Sequence, residues 1–118
     1  MHNFRQLNIW IEARSLVKQV YLLTAKFPSD EKFGLISQIN RCSISVPSNI
    51  AEGSARSTNK DFAHFLRISL GSLFELETQL LLSADLNMIS EIENEELFKR
   101  IIVLQKMISN FIKTLVQD

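Results

Sequence analysis

The chain has little that breaks a helix and nothing that staples a fold. Glycine and proline together number only five in 118 residues, so long uninterrupted helices are allowed. One cysteine, Cys42, excludes an internal disulfide, and a lone buried thiol suits a reducing cytoplasm, the expected location. No run of about 20 apolar residues exists to span a bilayer, and the N-terminus lacks the pattern of a secretory signal. Phosphate-cradling glycine loops are missing. Gly53-Ser54 and Gly71-Ser72 stand without the flanking glycines of a nucleophile elbow. No nucleophile–base pairing and no known RNA-binding motif can be read. These absences argue against an enzyme and against any bound cofactor.

Charge is also missing as a global field. Lysine plus arginine equals aspartate plus glutamate, 13 each. A neutral protomer does not attract nucleic acid or anionic membrane by its overall charge. Its charges are unevenly placed, however. Residues 1–60 sum to +4, residues 61–98 to −7 and residues 99–118 to +3. A basic first half therefore faces an acidic third quarter.

What is present is apolar periodicity. Apolar residues make up 46% of the chain and charged residues 22%, which fits one folded domain over residues 1–118. Asn3 is positioned to cap a first helix, with Gln6 completing a capping box. The stripe Trp10, Ala13, Val17, Val20 or Tyr21, Thr24 follows, flanked by Ile9, Leu16 and Leu23. Pro28 should end this helix near Phe27. Ser29 or Asp30 would cap a second helix running to about Ala55. Thr58 and Asp61 form a capping-box pattern for a third, extending to about Leu86 along Phe62, Leu66, Ser69, Leu73, Leu76, Leu80 and Ala84. Asn87 marks its end. A fourth carries Leu97, Ile101, Leu104, Ile108, Phe111 and Leu115. Short loops and no period-two segment predict an all-α, antiparallel up-down-up-down four-helix bundle.

The second helix is costly. Pro47 removes the donor that would serve the Ser43 carbonyl, at about 3 kcal/mol, and should kink the helix. Gly53 adds about 1 kcal/mol relative to alanine. A serine hydroxyl or a water is expected to repair part of the Pro47 loss. Asn49, Glu52 and Arg56 share a face by helical spacing, and with Glu75 from the third helix they form a candidate structural polar cluster.

The third helix is apolar over an arc too wide for one packing face. Leu70, Phe74 and Leu81 fall to one side of its main stripe, and small Ser69, Gly71 and Ser72 permit close approach of a neighbour. A lone bundle would expose an apolar patch of several hundred Å² by rough count, so Leu70, Phe74 and Leu81 are the expected interface of a homo-oligomer.

Four stretches together resemble a known family. They are Phe4-Arg5-x-Leu7-x-Ile9-Trp10-x-x-Ala13, Phe27-Pro28-x-x-Glu31-x-Phe33-Gly34-Leu35-x-x-Gln38, Ser45-Val46-Pro47-Ser48-Asn49-Ile50-Ala51-Glu52-Gly53, and Phe62-x-x-Phe65-Leu66-x-Ile68-Ser69-x-Gly71-Ser72-x-x-Glu75-Leu76. They resemble the four-helix-bundle proteins of 23S rRNA intervening sequences across nearly the whole chain. The resemblance implies a cytoplasmic homopentamer, and a relation to the accessory variability protein of diversity-generating retroelements, a pentameric bundle that engages a reverse transcriptase and nucleic acid through a basic surface. The family name reports where its genes lie, and no biochemical activity follows from it.

Arg14, Lys18, Arg41 and Lys60, with Arg56, are the candidate nucleic-acid contacts, which an oligomer would repeat in every copy. The alternative is a protein–protein adaptor without nucleic acid. Asp61 and His64 have the spacing of a helical metal pair, but a di-metal bundle needs two such motifs and acids from all four helices. No metal is expected.

Overall fold

The computed structural model describes residues 2–117, apart from the side chains of Lys32 and Phe33, so the Phe33 of the family-like motif lies outside the described side chains. The described residues contain four α-helices: α1 (Asn8–Thr24), α2 (Ser37–Ser54), α3 (Asn59–Asp85) and α4 (Glu95–Leu115). No strand occurs among the described residues. The cross-helix contacts fix the direction of each helix. Gly53 meets Phe62 and Phe65, Ser69 meets Val46, and Cys42 meets Ser72, so α2 and α3 run antiparallel. Thr24 bonds Asn40, while Trp10 lines a groove with Pro47 and Ala51, which reverses α1 against α2. Phe62 packs on Phe111 and Glu77 bonds Gln105, reversing α3 against α4. The result is an up-down-up-down bundle measuring 46 × 25 × 20 Å.

Helix ends follow local chemistry. Asn3 accepts from the Arg5 amide at 3.2 Å, but it caps a single 3₁₀ turn, Phe4–Gln6, and α1 starts later at Asn8. Thr58 caps α3 by accepting from the Asp61 amide at 3.1 Å. At the other end of α3, Asn87 takes φ of +61°. The Met88 amide then bonds the Ser83 carbonyl and the Asn87 amide bonds that of Ala84, the paired closure that a left-handed residue after a helix allows.

The second helix begins later than the sequence suggests. Ser29–Glu31 form a short 3₁₀ turn and Lys32–Ile36 a wide turn, interrupted at Gly34 (φ −102°, ψ −106°). Regular α2 geometry starts only at Ser37. Asp30 and Glu31 therefore lie in a separate 3₁₀ turn rather than at the start of α2.

The core centres on Ile9, Leu16, Val20, Ile39, Val46, Ile50, Phe62, Leu66, Leu73, Leu76, Leu80, Ile101, Leu104 and Ile108, all buried. In α1 the flanking line Ile9, Leu16, Leu23 is buried together with Ala13, Val20 and Thr24 of the expected stripe, while Trp10 and Val17 sit half-buried toward α2. His2 packs onto the bundle: its amide bonds the Ser54 carbonyl at 3.0 Å and its ring lies 5.0 Å from that of Phe62.

Candidate interaction site

Pro47 lies inside α2, and small polar residues surround it. Cys42 Sγ donates to the Ser72 carbonyl at 3.0 Å, Ser69 Oγ donates to the Val46 carbonyl at 2.8 Å, and the hydroxyls of Ser45 and Ser72 share a hydrogen bond of 2.6 Å. These three bonds tie α2 to α3 in the turn that precedes the proline. Within α2, Ser43 and Ser45 hydroxyls donate to the carbonyls three residues back, Asn40 and Cys42, and the Asn49 amide donates to the Ser45 carbonyl. None of these side chains serves the Ser43 carbonyl, the group that the proline deprives of a donor. The close approach is completed by Gly53, where a Cβ would lie 2.7 Å from Phe65 Cβ and 2.9 Å from Phe62 Cδ1.

The structure does not gather Asn49, Glu52, Arg56 and Glu75 into one cluster. Glu52 and Arg56 pair with each other at 3.2 Å on the exposed surface, and the Arg56 guanidinium lies 4.5 Å over the Phe65 ring. Asn49 turns back to its own helix. Glu75 sits several turns away along α2, where it accepts from the Gln79 amide at 3.3 Å and lines a polar notch with Ser37, Gln38, Arg41, Cys42, Ser45 and Ser72. Antiparallel packing explains the separation, because residue 53 opposes 62 and 65, leaving 75 opposite the start of α2. Burial, and secondarily the Glu75 charge, push the Cys42 thiol up to about 11. The thiol therefore stays protonated and works as a donor in the helix contact.

Ser69 and Ser72 meet a neighbouring helix closely, as their size suggests; what residue-type reasoning missed is the hydrogen-bonded seam they form with Cys42, Ser45 and Val46 of α2. Its signal was available as two short polar ladders, Cys42/Ser45 and Ser69/Ser72, each spaced by three residues. Gly71, grouped with these small residues by sequence, points away from the seam and has nothing within 4 Å of a hypothetical Cβ.

The opposite flank of α3 is exposed and apolar. Phe74 is 52% exposed and Leu81 36%, while Leu70 is half-buried against the core. Phe74 and Leu81 flank Glu77 on α3, and Ile102 lies one turn from Gln105 on α4. The Glu77–Gln105 bond, 2.8 Å long, joins the two helices there. Phe74, Leu81 and the 39%-exposed Ile102 thus border one outer seam.

The four candidate cations are dispersed over a protomer. Arg14 stacks 5.5 Å above Trp10 in the α1/α2 groove, and Lys18 lies one turn on along α1, exposed. Arg41 lines the notch between α2 and α3. Lys60 is exposed at the start of α3. Asp61 and His64 are exposed, and no group of three or more metal-ligating side chains occurs among the described residues. No described helix is long and apolar enough to cross a membrane.

A family model described as 23S rRNA-intervening sequence protein matches residues 5–110. No curated protein matches the sequence.

Proposed function

Because this chain belongs to the family of 23S rRNA-intervening sequence proteins, we propose that it acts as a non-enzymatic, homo-oligomeric helical scaffold, a pentamer, that associates with RNA in the cytoplasm. The observation that carries the assembly is the α3/α4 seam, where a bulky aromatic, Phe74, stands half in water beside Leu81 and Ile102. Apolar surface gathered in one place is covered in stable soluble proteins, and about 25 cal/mol per Å² favours covering it. A second copy of the chain supplies that cover.

The non-enzymatic reading is supported by how the reactive groups are used. Ser43, Ser45, Ser54, Ser69 and Ser83 hydroxyls all donate to backbone carbonyls. Among the described residues no side-chain hydrogen bond joins a histidine ring to a serine hydroxyl or to the Cys42 thiol. RNA association rests on repetition. A single protomer spreads Lys18, Arg41 and Lys60 over several faces, whereas a ring of copies repeats each of them around its circumference. Binding of that kind weakens steeply with salt through counterion release.

Two measurements test this reading. Sedimentation at micromolar concentration should give a species near five times 13.6 kDa, and a clean monomer would refute the scaffold. Phe74→Ser with Leu81→Ser should reduce the assembly without loss of helix content. Gel shifts with structured RNA at two salt concentrations should show binding that fades at the higher one. No shift at low salt would leave a protein–protein adaptor instead.

A further inference from the structure

A groove between α1 and α2, about 590 Å³ in volume, is lined by Phe4, Arg5, Trp10, Arg14, Val17, Ile44, Pro47, Ser48 and Ala51. Its floor is apolar and its only charged lining groups are the two arginines. The nearest acids on these helices are turned elsewhere: Glu12 pairs with Arg100 at 3.4 Å and Glu52 with Arg56. Trp10 stands edge-on to Phe4 at 5.0 Å and beneath the Arg14 guanidinium, so an aromatic wall and two cations are already positioned.

The same chain carries the complement. In the α3–α4 connection, Ile92 is 85% exposed, the most exposed large apolar side chain among those described. It is flanked in sequence by Glu91 and Glu93. The turn that presents it is held: the Asn94 amide bonds the carbonyls of Ser90 and Glu91, Asn94 Nδ2 bonds the Ser90 carbonyl at 2.8 Å, and the Glu93 amide bonds Ser90 Oγ at 3.3 Å. An apolar tip between two carboxylates matches an apolar groove between two guanidiniums. Within one protomer they cannot meet, because the groove lies between α1 and α2 toward the Ser54 end, and Ile92 lies where α3 turns into α4, at the other end of a 46 Å bundle.

We propose that Ile92 of one copy seats in the Trp10 groove of the next, with Glu91 and Glu93 facing Arg5 and Arg14. This rests on the homo-oligomer reading and gives it a direction. The contact is heterologous, so each copy offers a tip on one side and a groove on the other, and the contact repeats from copy to copy. It also explains the charge layout, in which the basic first half of one chain meets the acidic third quarter of its neighbour. Rim charges of this kind set register and approach more than affinity.

The test uses two surface variants that leave the core untouched, Ile92→Asp and Arg14→Glu, with helix content checked by circular dichroism. Each alone should sediment as a monomer, and emission from Trp10, the sole tryptophan, should shift to the red as the groove opens to water. Mixed in equal amounts, they should form a dimer, because Ile92→Asp keeps its groove and Arg14→Glu keeps its tip. An assembled wild type with Ile92→Asp assembling equally well would overturn this contact while leaving the scaffold standing. Failure of the mixture to pair would overturn it as well, including where the groove instead takes an acidic segment of another protein. A monomeric wild type would remove both the contact and the scaffold.

Discussion

Along its α2 flank, α3 presents Ser69 and Ser72 to Val46, Ser45 and Cys42, and further toward its start it receives Gly53 between Phe62 and Phe65. Along its α4 flank it presents Leu70, Phe74 and Leu81, of which two reach solvent. One seam is narrow, hydrogen-bonded and closed. The other is bridged by the single Glu77–Gln105 side-chain bond described there and edged with large apolar groups. Small side chains let backbones approach until hydroxyls reach carbonyls across the gap, whereas large ones hold helices apart and leave their own outer edges wet. The closed seam belongs to the fold, and the open one is the surface proposed above for association.

The sharpest way to break the closed seam is Gly53→Val. Its Cβ would lie within 3 Å of Phe65 and Phe62, and overpacking of this kind costs about 3 kcal/mol. Denaturant unfolding should show a clearly lower midpoint. If stability is unchanged, the two helices are not in the close contact described. Ser69→Ala should cost less, about 1 kcal/mol, because it removes one buried hydroxyl–carbonyl bond without leaving a large cavity. Gly71→Ala should go the other way, stabilising by about 0.5–1 kcal/mol, because its added methyl meets nothing and gains helix propensity. Two glycines 18 positions apart in sequence, both helical, would thus respond with opposite signs, which propensity alone does not produce.

The smallest effect concerns pH. Burial raises the Cys42 thiol from an ordinary 9.0 to about 11. Below pH 9 the thiol is protonated in both folded and unfolded chains, and its contribution is fully present. As pH rises from about 9 to 11 the unfolded chain ionises first, so stability falls across that window. Cys42→Ala should be less stable at neutral pH and should lose less across the window, which thermal melts at pH 8 and pH 10.5 would measure.

Several features were legible from residue types and spacing. The Thr58 cap, the α3 stripe from Phe62 to Leu80 and the left-handed close at Asn87 follow local rules that act within one turn of helix. The exposed positions of Phe74 and Leu81 followed from arc width. Less legible were features set by two helices at once. Grouping Asn49, Glu52 and Arg56 with Glu75 required a register between α2 and α3, and helical spacing fixes no register between separate helices. The delayed start of α2 was hidden because Ser29, Asp30 and Glu31 suit the start of either a turn or a helix, and only the backbone at Gly34 distinguishes them. The Trp10 groove and the Ile92 tip were invisible because each is defined by what fails to pack against it.

Periodicity, capping residues and the scarcity of breakers determined four helices and their apolar faces, because those signals act over neighbouring residues and need no partner. Packing alone decided which partners the small residues of a seam bond to and which charges pair. Those outcomes depend on distances between segments far apart in the chain, and such distances exist only after the bundle has formed.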